Sequence, residues 1–243
     1  MSFDVPYLSD AEIEGEVYML LKSFEAKYGT IQTTATPLDE ILENHLGLAI
    51  EVCDLGHPAI LGQLDITENV IRINTILDPS TVPDKEGRYN FTGGHEAGHQ
   101  VLHRHLVEEM MRNTSFLDEA EKEPEKIILC RTEDKKSPIE IQADKFSSSL
   151  LMPRNKVIAE FLEYTQGKRF ISEPHLLQSL RHNRPFLSQC FHNPRYVPSD
   201  DDLLNHAFKD LAKIFRVSMQ PMVIRLRILG ILGKIEQEEM AFG

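Results

Sequence analysis

Cysteine is scarce in this chain: only Cys53, Cys130 and Cys190 occur, in distant and unrelated contexts. An odd number so spaced argues against a disulfide framework and a cysteine-based zinc site, and fits reduced thiols. Long apolar runs are absent too. None approaches the roughly 18 residues that a membrane span requires. The first ten residues hold no Lys or Arg and lead into an acidic amphipathic stretch, unlike a secretory signal. The expectation is a cytoplasmic protein without a membrane partner. Positive charge is also short, with 26 Lys and Arg against 38 Asp and Glu and a net charge of −12. A surface that acidic repels phosphate backbones, which counts against a dedicated nucleic-acid binder.

What is present is globular. Hydrophobic residues at 41% and charged residues at 26% are ordinary values, and 243 residues suit one large domain or one domain with an appendage. The acid is unevenly placed. Glu108 to Lys126 carries seven acidic and three basic side chains, whereas Leu203 to Lys234 carries six Lys or Arg against the single Asp210.

Ser9 and Glu12 have capping-box spacing, and Ile13, Val17, Leu20, Leu21 and Phe24 follow at helical intervals, predicting a helix that ends near Tyr28-Gly29. Thr36-Pro37 opens a second helix, with Leu38, Ile41, Leu42 and Leu46 on its apolar face. Three β-branched runs follow, 48–52, 59–65 and 70–74, punctuated by Gly56, Pro58 and Asn69. Their short connections predict an antiparallel meander. A helix through His95, a short apolar run 127–130 and a helix over 137–152 complete this part.

The chemistry is carried by Gly94-His95-Glu96-Ala97-Gly98-His99, which matches H-E-x-x-H. Positions i and i+4 on a helix differ by about 40°, so the two imidazoles project from one face and can grip a single zinc ion. Glu96 beside them can take a proton from the activated water and pass it to the departing amine. Gly93 and Gly94 each cost roughly 1 kcal/mol inside a helix, so the helix is expected to begin only at His95.

A third ligand is needed. His105 has the spacing of the extended H-E-x-x-H-x-x-G-x-x-H motif, but Leu102 replaces the helix-breaking glycine, and a continuing helix turns His105 roughly 80–120° away. His103 lies on the ligand stripe about 12 Å along the axis from His95, too far to share the ion, and reads as a supporting or packing residue. Glu140 is the better candidate, with Asp144 one turn later on the same face to accept an N–H from a liganding histidine. Ser137 and Glu140 also form S-x-x-E, so a helix cap is the competing reading of Glu140.

These blocks resemble the ImmA/IrrE-type metallo-endopeptidases. The resemblance rests on Asn90–His103, on Glu140–Pro153, and on Leu211–Ser218 followed by Arg225–Gly230, in that order. It implies zinc held by His95, His99 and Glu140, Glu96 as general base, Asp144 as supporting carboxylate, and a cytoplasmic protease cutting helix-turn-helix repressors. The connections over 106–139 and 154–201 are longer than the family pattern.

The expected layout is α+β: a zincin-like peptidase domain over 1–182 with a small antiparallel sheet, a linker or insertion over 183–201, and a helix-turn-helix-like element over 202–243. In that last element Arg216 takes the turn position, Ser218 caps the second helix, and Met219 to Met222 stand where base-reading polar groups would be. It reads as a packing or docking element before a DNA reader, with Lys209, Lys213, Arg225 and Arg227 leaving a basic face over 202–234. Tyr164, His175, His182, His192 and Tyr196 are candidates to stabilise an oxyanion, with surface residues as the default. Two rivals stand beside the protease: a regulatory or DNA-binding module whose protease-like part is inactive, and a closed structural zinc site.

Overall fold

A computed structural model describes residues 5–114, 127–131, 137–193 and 195–234. The chain divides into two compact units, Met1–Leu151 and Met152–Gly243. That division precedes the boundary expected at 182.

In the first unit, helix α1 spans Asp10–Tyr28. Ser9 and Glu12 form the expected capping box, and Ile13, Val17, Leu20 and Phe24 are its buried stripe. Helix α2, Leu38–Glu40, runs on into a π-helical turn over Ile41–His45. Strands β1 (Ala49–Cys53), β2 (Ile60–Asp65), β3 (Val70–Asn74) and β4 (Ile127–Arg131) form one sheet in the order β1-β3-β2-β4.

The expected antiparallel meander is corrected here: the sheet is mixed, with β1 parallel to β3 and β2 antiparallel to both β3 and β4. The hairpin between β2 and β3 closes tightly, because Asp65 Oδ1 accepts from the backbone N–H of Thr67 and of Glu68 at 3.0 Å each. The six-residue connection from β1 then crosses the end of β3. Buried Asn74 holds it there, its Nδ2 donating to the carbonyls of His57 at 3.3 Å and Ile60 at 2.8 Å.

Helix α3 spans Glu86–Gly98, continues as a π-helical turn over His99–His103 and then as α4, Arg104–Thr114. It begins well before His95, so the expectation of a late start is also corrected. Gly94 and Gly98 are contact positions against helix α5, Pro138–Leu151, while Gly93 packs near Leu38, Leu42 and Ile73. A Cβ on Gly94 would lie 2.6 Å from Ser147 Oγ, and one on Gly98 would lie 3.0 Å from Ala143 Cα and 3.1 Å from Phe146 Cβ. Packing across that close approach outweighs the propensity cost. Ser147 Oγ closes the contact by donating to the Phe91 carbonyl at 2.8 Å.

The second unit holds α6 (Arg154–Tyr164), β5 (Ile171–Ser172), α7 (Glu173–His182), α8 (Arg184–Cys190), α9 (Asp200–Ala207), α10 (Lys209–Ile214), α11 (Met219–Ile228) and β6 (Leu232–Gly233). Strands β5 and β6 pair in parallel. The expected linker over 183–201 therefore includes a helix, with Asn183 accepting from Phe186 N at its start. The pair α10–α11 has the expected turn, and Arg216 takes a left-handed φ of 53° within it. Ser218 occupies the N-cap position of α11, but its side chain makes no cap hydrogen bond.

Two glycine-to-alanine changes should differ in sign. Gly98→Ala would press its Cβ against the Ala143 backbone at 3.0–3.2 Å, so helix α5 must shift, and should destabilise the protein by about 1–3 kcal/mol in urea denaturation. Gly15→Ala lies in the exposed interior of α1 with nothing within 4 Å of the new Cβ. It should stabilise by about 0.5–1 kcal/mol. Equal effects from the two would discount close α3–α5 packing.

Candidate metal centre

The close approach of α3 and α5 brings His95, His99 and Glu140 together as a group that could hold a metal ion. Nε2 of His95 lies 3.0 Å from Nε2 of His99. Glu140 Oε2 is 3.1 Å from the first and Oε1 3.3 Å from the second. Ligand atoms around an ion with bonds of about 2.0–2.1 Å in a tetrahedron stand about 3.3 Å apart, so the separations suit a shared ion. Both carboxylate oxygens of Glu140 face the imidazoles, which is the orientation of a ligand rather than of a helix cap.

Asp144, one turn along α5, lies with Oδ1 2.9 Å from His95 Nδ1. A carboxylate only accepts, so His95 carries a proton on Nδ1, and in the neutral ring Nε2 turns its lone pair into the cluster. His103 is fully buried and stands behind the other ligand, with Nδ1 3.1 Å from His99 Nδ1. The π-helical turn over 99–103 carries both rings. His105 is exposed and outside the cluster, as the missing glycine implied.

Glu96 is fully buried, and both of its carboxylate oxygens lack a hydrogen-bond partner. An orphaned buried carboxylate next to two convergent imidazoles is the mark of a site built for a group besides the protein's own atoms. Burial raises its pKa to about 8, with Glu140 adding to the rise and His95 opposing it. For Glu140 burial also favours the neutral acid. The hydrogen bonds and charges of His95 and His99 outweigh it and hold the carboxyl far below its usual range. Burial lowers the pKa of His99, and lowers that of His103 to about 4. Burial thus favours neutral rings at His99 and His103, the contacts of His95 and His99 keep Glu140 ionised, and a bound cation would need both ligand nitrogens free of protons.

Two residues at this site escaped the sequence reading. Gly62 on β2 faces Glu96 directly: a Cβ there would lie 2.8 Å from Glu96 Oε1 and 2.5 Å from Thr92 Cγ2. The β2–β4 register shifts at this point, between Ile60 and Gly62. A lone glycine in a strand pattern is a weak signal of close approach, and it was the only one available. Gln142, buried on α5, has Oε1 2.9 Å from His103 Nε2. It lies off the Glu140–Asp144 stripe, so no spacing pointed to it.

The remaining candidates lie in the second unit. Tyr164 donates to the Ala207 carbonyl at 2.5 Å and Tyr196 to Asp202 Oδ2 at 2.6 Å. His175, His182 and His192 are exposed. The side chain of Cys130 falls outside the described residues, while Cys53 and Cys190 are free thiols. Arg225 is buried, with Nε donating to the Met152 carbonyl at 3.1 Å. Arg227 makes a two-pronged pair with Glu173 at 2.8 and 2.9 Å. Both arginines of the expected basic face are thus engaged within the second unit. No helix among the described residues is long and apolar enough to cross a membrane. No family model matches the chain, and no curated protein matches it.

Elemental analysis should find one divalent metal ion per chain. Glu140→Ala should abolish most of that occupancy, while Ser137→Ala leaves it intact. A Glu140→Ala protein with full metal would return Glu140 to the role of a helix cap.

Glu96 also predicts a pH dependence for the metal-free protein. Between the ordinary carboxyl pKa of 4.5 and the folded value of about 8, the folded state keeps a proton that the unfolded state has lost. Wild-type stability must then fall as pH rises through that window, and Glu96→Gln escapes the loss. The variant's advantage should be absent near pH 4, grow to about 1–4 kcal/mol by pH 8 and level off above it. Parallel stability curves for the two proteins would contradict this.

Proposed function

We propose that this chain is a zinc-dependent endopeptidase of the ImmA/IrrE type, built on a zincin-like domain and acting on a protein substrate, in the first instance a helix-turn-helix repressor. The observation that carries the reading is the pairing of a His95–His99–Glu140 group with an adjacent carboxylate, Glu96, whose oxygens have no partner. Two imidazoles and one carboxylate make three protein ligands, the number used in open catalytic zinc sites. When bound, zinc supplies Lewis acidity, which polarises a carbonyl and acidifies water.

The chain's own residues perform the remaining tasks. His95, His99 and Glu140 hold the ion. Asp144 accepts the Nδ1 proton of His95 and keeps that ring in its liganding tautomer. Glu96 is the general base, taking a proton from the attacking water and delivering it to the amine that leaves as the peptide C–N bond breaks. Burial suits it to both halves of this transfer, because it raises the carboxyl's proton affinity towards neutrality. Gly62 leaves the space that the Glu96 carboxylate occupies.

The structural-zinc rival accounts poorly for Glu96, since a closed site has no use for an unpartnered buried carboxylate. The DNA-binding rival is weakened by Arg225 and Arg227. One is buried and the other is paired with Glu173, and a side chain so engaged does not reach a phosphate or a base edge.

Glu96→Gln tests the assignment directly. The amide preserves shape but takes no proton, so the variant should keep its zinc and its fold while cleavage of a repressor substrate, followed on gels, falls by about 10²–10⁴-fold. Equal cleavage by wild type and variant would remove Glu96 from the mechanism. Zinc content that fell with activity would instead place the residue among the groups that hold the metal.

A further inference from the structure

Behind His99 the hydrogen bonds run in one direction, and a backbone carbonyl sets that direction. Gln142 Nε2 donates to the Pro6 carbonyl at 2.8 Å. A carbonyl only accepts, so the amide nitrogen faces Pro6 and the amide oxygen faces the opposite way. That oxygen lies 2.9 Å from His103 Nε2 and also only accepts, so His103 carries a proton on Nε2. Its other nitrogen is 3.1 Å from His99 Nδ1, and one proton fits between the two. Both hydrogen-bond partners of His103 are neutral and the ring is buried, which disfavours a second proton on it. The shared proton therefore belongs to His99 Nδ1, and His99 Nε2 is left with a lone pair. That nitrogen is the one facing Glu140 Oε1 and His95 Nε2.

Resting on the reading of this cluster as a metal centre, we propose that Gln142, oriented by the Pro6 carbonyl, is a positioning residue of the site: through His103 it fixes His99 in the tautomer that binds the ion. The two ligand histidines are then oriented in different ways. Asp144 holds His95 with a charged acceptor in one step. His99 is held by a neutral chain of two side chains ending on the backbone just before α1. Helix α5 supplies the carboxylate ligand, Glu140, and both orienting residues, Gln142 and Asp144. The segment preceding α1 thereby becomes a part of the metal site. A second tie, Lys145 Nζ to Asp10 Oδ1 at 2.5 Å, joins α5 to the start of α1.

The test combines two measurements on the full-length chain. Ring-nitrogen NMR of the wild type should show His103 protonated on Nε2, both metal-free and with zinc bound. Gln142→Met keeps the side chain's length and deletes both hydrogen bonds. Its zinc affinity, measured by chelator competition, should fall about 10–100-fold, with His103 now sampling both tautomers and circular dichroism unchanged. A merely structural Gln142 would lower the melting temperature and leave zinc affinity within twofold, and that result overturns the proposal. Should Gln142→Met fail to fold, the wild-type spectrum still decides, because His103 protonated on Nδ1 is incompatible with the chain described. The proposal and the protease reading fail separately. Zinc bound with the expected tautomers but no substrate cleaved refutes only the protease, whereas wild-type zinc binding untouched by Gln142→Met refutes only the positioning role.

Discussion

Helices α3 and α5 lie so close that two of the residues between them have no side chain, and the candidate centre depends on that approach. Gly94 and Gly98 meet Ser147, Ala143 and Phe146 at distances that a Cβ would violate. His95 and His99 are interleaved with those glycines, so the surface that packs on α5 also presents the imidazoles to it. Glu140 then reaches both rings from the first turn of α5, and Asp144 reaches one of them from the second. An additional methyl group would press on the Ser147 hydroxyl at Gly94 and on the Ala143 backbone at Gly98, and both belong to the helix that carries Glu140. Packing and ligation are thus two readings of one interface.

Patterns that depend on a single element could be read from the sequence, and those that depend on two could not. The Ser9–Glu12 box, the α1 stripe and the bounds of β2 and β3 agree with their local signals, to within a residue or so. Partners in the sheet were a different matter. The runs that became β1, β2 and β3 look like a meander because their connections are short. What changes the order is Asn74, whose two hydrogen bonds hold the β1–β2 connection across the end of β3. Gly93 and Gly94 looked like helix breakers by propensity, and the compensation lies in distant contacts, with Leu38, Leu42 and Ile73 for Gly93 and with Ser147 on α5 for Gly94.

The candidate site divides along the same line. His95, Glu96 and His99 share one helical face, and Glu140 with Asp144 share another, so spacing offered both halves as candidates, although Glu140 read by itself looked more like a helix cap. Gly62 and Gln142 act through contacts with residues far off in sequence, and their own neighbourhoods gave no more than the weak signal of a glycine within a strand. In the second unit, the basic residues of α11 suggested an available face by composition. The fold spends Arg225 on a buried backbone carbonyl and Arg227 on Glu173, a use that a count of charges does not reveal.

The protonation pattern gives the strongest physical reason to regard the cluster as a cation site. Asp144 accepts a hydrogen bond from His95 Nδ1, and the proposed chain through His103 places a proton on Nδ1 of His99. If neither ring carried a second proton, both Nε2 lone pairs would face each other at 3.0 Å, beside the oxygens of Glu140. Lone pairs and negative charge held together out of water repel strongly, and burial removes the solvent that would screen them. Without a cation, a proton on a ring nitrogen, shared with Glu140, has to keep them apart, which is also what holds the Glu140 carboxyl far below its usual range. A cation would relieve the repulsion with no proton at all, and Glu96, buried, would still have both oxygens to be partnered. The nitrogens and oxygens that converge to suit a cation therefore stand in the same buried cluster as the carboxylate proposed as its base.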